Sequence, residues 1–464
     1  MKKLHAIVFY TMLIAACSTV DAPVKTPERA ETSFMEKLAA ALGKGDSDAA
    51  LSLFDALPPE EARTNQNMRL KASVLVSAGR LPEARETVNT VLARDGADLD
   101  AQYILSKIEG ASGNAKEQKR ILEAVVKADG AHVGALDALG YLAINALNLK
   151  GAEGFFDRAL AADATNLDAL IGKASVYRKR KNPEAAVKLL TQAIDAHPLD
   201  AEPLAERGRV YRETGNPQFA IDDLQKAETL DAGNYWVVYD KARALLDMNK
   251  KREALAEFER AAHINPQNFI AYVYSAGLRD ELHDYTNAIL DYQALASLKP
   301  DYYFAHEMLG VYFMKDKQHI KARDAFKKAF DGAPGEYNYA LLAVINAVQG
   351  GQSSVAFKPF LEQTMRKLDR SKLDYYLVRL FYDFSGDADV ARRVSAEKNP
   401  RIKAQGLFYL AYYFTICGNA SLAATYIDEF GRLDRKDLIE WRIYDWVVQD
   451  GALSGGSSAT ALKN

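Results

Sequence analysis

Small and bulky apolar positions recur along this chain with a period of 34 residues. Ala50, Ala84, Ala152, Ala186, Ala220, Ala254, Ala288 and Ala322 mark the beat, and Gln118 stands at the one skipped position. Four residues after each mark comes a bulky apolar side chain: Phe54, Val88, Leu122, Phe156, Leu190, Leu224, Phe258, Tyr292 and Phe326. A second column is small: Ala72, Ser106, Gly140, Ala174, Gly208, Ala242, Ala276 and Gly310. Within one period the apolar spacing is three or four, which puts those residues on one face of a helix. Between Ala201 and Asn234, Leu204, Gly208 and Tyr211 share the face of a first helix. Ala220, Leu224 and Ala227 share the face of a second. Gly215-Asn216-Pro217 separates the two, a glycine stop followed by proline. Pro198, Pro266, Pro300 and Pro334 close several periods.

The columns have a packing reason. Two antiparallel helices in a tight hairpin approach closely only where a side chain is small, and the bulky neighbour fills the gap to the next hairpin. One hairpin cannot bury its own apolar face, whereas a stack can. Cut from Glu31, the frame yields nine units ending at Glu336. This pattern resembles the tetratricopeptide repeat (TPR) family. The resemblance implies an all-α fold: a right-handed superhelical solenoid of helix-turn-helix hairpins that binds other molecules rather than doing chemistry. Departures are local: Gln118 and Gly130 in unit three, Leu38 and the early Pro58-Pro59 in unit one. Residues 337–450 read as degenerate TPR-like units. Within them, 404–430 keeps Ala411, Gly418, Ala423 and Ile427 in the expected columns, and a last helix near 436–450 with Trp441 and Trp446 closes the array. Residues 451–464 read as a disordered tail.

The N-terminus has a different texture. Lys2 and Lys3 precede a short apolar run from Ile7 to Ile14, and Ala15 and Ala16 lead into Cys17. The run is too short for a membrane span and has the order of an export signal. Ile14-Ala15-Ala16-Cys17 resembles the lipobox of bacterial lipoproteins. That resemblance implies removal of residues 1–16, lipidation of Cys17, and a flexible tether over 17–30. Thirteen residues of it, 18–30, would reach at most about 45 Å. Ser18 after the cysteine points to the periplasmic face of the outer membrane rather than the inner membrane. Loss of Lys2 and Lys3 takes the net charge from −3 to −5, which argues against nucleic acid as a partner. With Cys17 lipidated, Cys417 has no intramolecular partner, and its apolar surroundings suggest a small core residue.

No catalytic, cofactor or metal constellation is present in the sequence: there is no Walker-type loop, no His-Glu-x-x-His and no cysteine pair at metal spacing. In the TPR family the first helices line a concave groove. The resemblance then assigns partner contacts to Arg178, Arg209, Arg212, Trp236, Tyr239, Arg243, Tyr274 and Phe304: a basic middle followed by an aromatic stretch. Such a groove suits a segment with acidic and aromatic groups. The same arginines can instead bridge to Glu206, Glu213 or Asp240, and the aromatics can pack between helices. A second candidate surface gathers Tyr375, Tyr376, Phe381, Tyr382, Phe384, Phe408, Tyr409, Tyr412 and Tyr413, or these fill a helix buried all round. The implied function is a non-enzymatic, lipid-anchored scaffold that binds envelope proteins or peptides, with an adaptor or accessory ligand-binding protein of a solute transporter as the alternative.

Overall fold

Each hairpin turn needs one residue in left-handed backbone geometry, and the chain supplies it on the 34-residue beat. Gly45, Gly79, Gly113, Leu147, Lys181, Gly215, Asn249, His283, Lys317 and Gly351 all have φ between +57° and +84°. The amide that follows bonds back across the turn, for example Asn216 to the Tyr211 carbonyl at 2.8 Å and Gln318 to Phe313 at 2.8 Å. This satisfies carbonyls that the first helix leaves open. Asn and Asp side chains start many helices by accepting a backbone N–H, as Asn166 does from Ala169 at 2.7 Å and Asn148 from Gly151 at 3.0 Å.

These features come from a computed structural model that describes residues 28–43 and 45–449. The signal segment 1–16, Cys17 and the tail 451–464 lie outside the described residues, within which all regular structure is helical. The fold is an all-α TPR solenoid. It forms two compact units, one ending at Asn249 and one starting at Lys250.

In the first unit the ladder alanines Ala50, Ala84, Ala152, Ala186 and Ala220 are fully buried. Phe156 shows why the small column must be small. Its ring lies against Gly140 of its own hairpin and Gly172 of the next, and a Cβ added at Gly140 would fall 2.6 Å from it. The skipped beat is absorbed in a similar way. The Gln118 amide occupies the space that a Cβ on Gly110 would fill.

The second unit repeats the scheme with Ala288, Ala322 and Phe326, and Phe326 packs on Gly310. Past Gly351 the hairpins are irregular: Leu373–Asp383 with Asp387–Ala396, then Pro400–Ile416 with Ala420–Arg432, then Ile439–Gln449. The Pro400 helix is buried on every side from Ala404 to Phe414. Phe381, Phe408, Tyr409, Tyr412 and Tyr413 are therefore core, and Tyr375, Tyr376, Tyr382 and Phe384 are half-buried beside them. Cys417 is a correction to the sequence expectation. It caps the Pro400 helix and is exposed, because the helix ends one residue before it.

Candidate functional site

First helices of successive hairpins touch one another in the first unit, so side chains one period apart form columns. The helices are Leu99–Ala111, Val133–Asn145, Leu167–Lys179, Ala201–Glu213 and Tyr235–Asp247. One column reads Asp100, Gly134, Asp168, Glu202 and Trp236, and another reads Lys107, Tyr141, Ser175, Arg209 and Arg243.

The arginines of this face are largely engaged. Arg178 bonds Glu213 at 2.8 Å and Arg212 bonds Asp247 at 3.3 Å, each joining adjacent first helices. Arg209 is held by Glu206 on its own helix and by Asp240 on the next. Arg243 lies 5.9 Å from the Tyr239 ring centre. Tyr239 is itself buried and stacked 5.9 Å from Tyr235. Trp236 keeps 41% of its surface exposed while its ring meets Tyr235 edge-on at 5.0 Å. The face is thus not the bare basic strip that the arginines suggest from sequence, because carboxylates reach each of Arg178, Arg209 and Arg212.

Carboxylates that the arginines do not reach remain. Asp137 is 4% exposed, and its Oδ1 has no hydrogen-bond partner. Burial, with the charges of Asp168 and Asp163 behind it, pushes its carboxyl up to about 8. Burial likewise lifts Glu202 to about 7, helped by Asp168 and Glu206 and opposed by Arg209. Asp168 is raised by burial, with Lys107 pulling the other way. Lys107 lies over the Tyr103 ring at 5.0 Å, and burial lowers its ammonium. Tyr141 donates to the Asp168 carbonyl at 3.1 Å, which ties neighbouring first helices together. None of Tyr103, Lys107, Asp137, Tyr141, Asp168 or Glu202 figures among the sequence-derived contacts. The signal was available: Asp168 and Glu202 stand in the same frame position as Trp236.

In the second unit Tyr274 stacks flat on Phe258 at 4.7 Å, so it packs between helices. Phe304 is 40% exposed near Tyr302 and Tyr292, and its neighbour Tyr303 is exposed to the same degree. The C-terminal helix Ile439–Gln449 lies on first helices of this unit. Arg442 bonds Asp280 and approaches the Met308 sulfur at 3.3 Å. Trp446 stacks on Tyr312 at 5.8 Å and meets Tyr285 at 5.5 Å, with the Lys315 ammonium 4.4 Å from its ring. Glu440, fully buried, accepts from Tyr409 at 2.8 Å and Gln405 at 3.2 Å, while its Oε2 has no partner.

Two tetratricopeptide-repeat family models match the chain, over residues 171–235 and 211–275. The chain is a TPR protein. TPR repeats are protein-interaction scaffolds and are generally non-catalytic. No curated protein matches the sequence. Solved structures with likeness to it include pilF of Pseudomonas aeruginosa, at 20% identity over 45% of this chain and 95% of that one, with a TM-score of 0.39. A tetratricopeptide repeat protein of Parabacteroides merdae aligns at 19% identity over 53% and 96%, TM-score 0.40. YrrB, described as a TPR protein with an unusual peptide-binding site, aligns at 18% over 40% and 95%, TM-score 0.32. Among the described residues this TPR protein has no group of three His, Cys, Asp or Glu side chains that could hold a metal ion. None of its described helices is long and apolar enough to cross a membrane.

Proposed function

We propose that this TPR protein is a non-enzymatic scaffold of a bacterial cell envelope, anchored by lipid on Cys17, that holds partner proteins against its first helices. The observation that carries the binding part is the exposure of large aromatics on those helices. Trp236, Tyr303 and Phe304 each keep about two-fifths of their surface open, at first-turn positions of rigid helices. Rigid aromatics on a fixed backbone give contact area at little entropic cost. Arg243 adds a guanidinium 5.9 Å from the centre of the Tyr239 ring. Arg178, Arg209 and Arg212 serve to lock the repeats together, and Tyr239 and Tyr274 serve as packing.

The envelope location rests on the N-terminal residues: Lys2-Lys3, the apolar run and Ala15-Ala16-Cys17. Two or more acyl chains on one cysteine hold a protein stably at a bilayer, where one alone is marginal. Two experiments test the proposal. Cells fed radioactive palmitate should label the wild-type protein and not Cys17→Ser; equal labelling of both would remove the anchor. Crosslinked partners recovered with the lipidated protein should be depleted by Trp236→Ala with Phe304→Ala; an unchanged partner list would remove those residues from the interface.

A further inference from the structure

We infer that the first-helix face of the first unit, from Tyr103 to Glu206, is a receptor for the cationic side chain of a partner peptide, lysine or arginine, laid along Asp168 and Glu202 of one column with the buried Asp137 beside them. The inference rests on the groove reading proposed above and reverses the ligand charge that the arginines imply.

Three observations carry it. Asp137 is more than nine-tenths buried, faces the Asp168 charge, and leaves Oδ1 without a hydrogen bond. A buried carboxylate with no partner is costly, and a fold keeps one where something else completes it. The cations able to complete it are committed elsewhere: Arg178 to Glu213, Arg209 to Glu206 and Asp240, Arg212 to Asp247. Lys107 sits over the Tyr103 ring, and its ammonium faces the Asp168 carboxylate rather than Asp137. Finally, Asp168 and Glu202 follow on the next two first helices, half-buried; Lys107 acts on Asp168 and Arg209 on Glu202 through charge, with no salt bridge closing either pair. The side walls are aromatic. Tyr103 lies in the space left by Gly134, where a Cβ would stand 2.9 Å from the ring, and Tyr141 is fixed by its bond to the Asp168 carbonyl. Tyrosine faces beside carboxylates suit an alkylammonium or guanidinium group, which gains from both. No group of His, Cys, Asp and Glu here has the geometry for a metal ion.

The site should also couple binding to protons. A cation favours ionised carboxylates. Asp168 meets Lys107 and Asp200. Asp137 meets Asp168 and Asp163, with Tyr103 and Tyr141 beside it; Glu202 meets Asp168, Asp200, Glu206 and Arg209. With carboxyls lifted to about 8 and about 7, the ionised fraction rises from pH 6 to pH 8.5, and affinity for a cation rises with it. Lysine and arginine side chains stay charged throughout that range.

The test uses the full chain and three fluorescent dodecapeptides on one Ala/Gln/Tyr host, carrying two Lys, two Arg or two Glu, read by anisotropy at low salt. The Lys and Arg peptides should bind, and more tightly at pH 8.5 than at pH 6. The paired variant Asp168→Asn with Glu202→Gln should weaken them about tenfold or more. Asp137→Asn should weaken them too while raising the melting midpoint at pH 8.5, which separates lost binding from lost folding. Preference for the Glu peptide, or Lys and Arg binding indifferent to the paired variant, overturns the cationic receptor and leaves the groove reading intact. Binding of spermidine without either cationic peptide also overturns it, in favour of a free polyamine. If no peptide of any charge binds, and Trp236→Ala with Phe304→Ala changes no crosslinked partner, both readings fall.

Discussion

At the scale of single residues, the repeat is held by two kinds of position: those that must be small and those that must be left-handed. Five of the ten beat-spaced turns meet the second demand with glycine, whereas Leu147, Lys181, Asn249, His283 and Lys317 adopt it with a side chain. A left-handed residue with a Cβ carries a penalty that glycine avoids, partly offset by the greater freedom glycine loses on folding. Leu147, also 77% exposed, gains nothing from burial. Leu147→Gly should therefore stabilise the chain by about 0.5–1 kcal/mol, measured by denaturant unfolding. A loss of stability would show that the turn is not strained. Gly140→Ala should do the reverse, costing about 1–3 kcal/mol as the Phe156 ring is forced away. Both columns are legible in sequence because they are local and periodic. The fate of Arg178, Arg209 and Arg212 is not. Each sits among several acids, and the choice of Glu213, Asp240 or Asp247 depends on helix rotation that no spacing encodes.

At the scale of helices, hairpins such as Ala201–Glu213 with Pro217–Leu230 follow directly from small-residue spacing, a glycine stop and a proline start. The last helix behaves otherwise. Trp441 and Trp446 suggest an end cap from sequence, yet the helix reaches back to Asp280, 162 residues away, through Arg442. Only tertiary packing specifies such a contact. Its buried Glu440 makes the docking sensitive to pH. Burial raises the Glu440 carboxyl above its usual value, against the bonds from Tyr409 and Gln405. A raised carboxyl binds its proton more tightly in the folded state, so its contribution is present at acidic pH and is lost as pH rises past the ordinary glutamate range. Hydrogen-exchange protection factors for 439–446 should fall from pH 5 to pH 8, and Glu440→Gln should flatten that trend. A wild-type profile already flat would show that Glu440 does not govern docking. Trp446→Ala should raise exchange in the same segment by removing its stacking on Tyr312 and the Lys315 contact.

At the scale of the whole molecule, the chain joins an N-terminus that resembles a lipoprotein export signal to two compact helical units. In the first unit, half-buried acids and Trp236 line the first helices. In the second, the C-terminal helix lies on first helices. The acids Asp137, Asp168 and Glu202 went unread in sequence because each is one carboxylate among 62 acidic residues, and only packing shows which of them lack partners. A scaffold of this design should meet its partners on the first helices and not on the outer faces of the second helices. Site-specific photocrosslinking in cells addresses that most directly, with the probe placed at Glu202, at Trp236, or at exposed Lys188 on a second helix. The expected result is a discrete protein adduct from Glu202 and Trp236 and none from Lys188. Adducts from Lys188 alone, or equally from all three positions, would contradict a partner-binding face on the first helices.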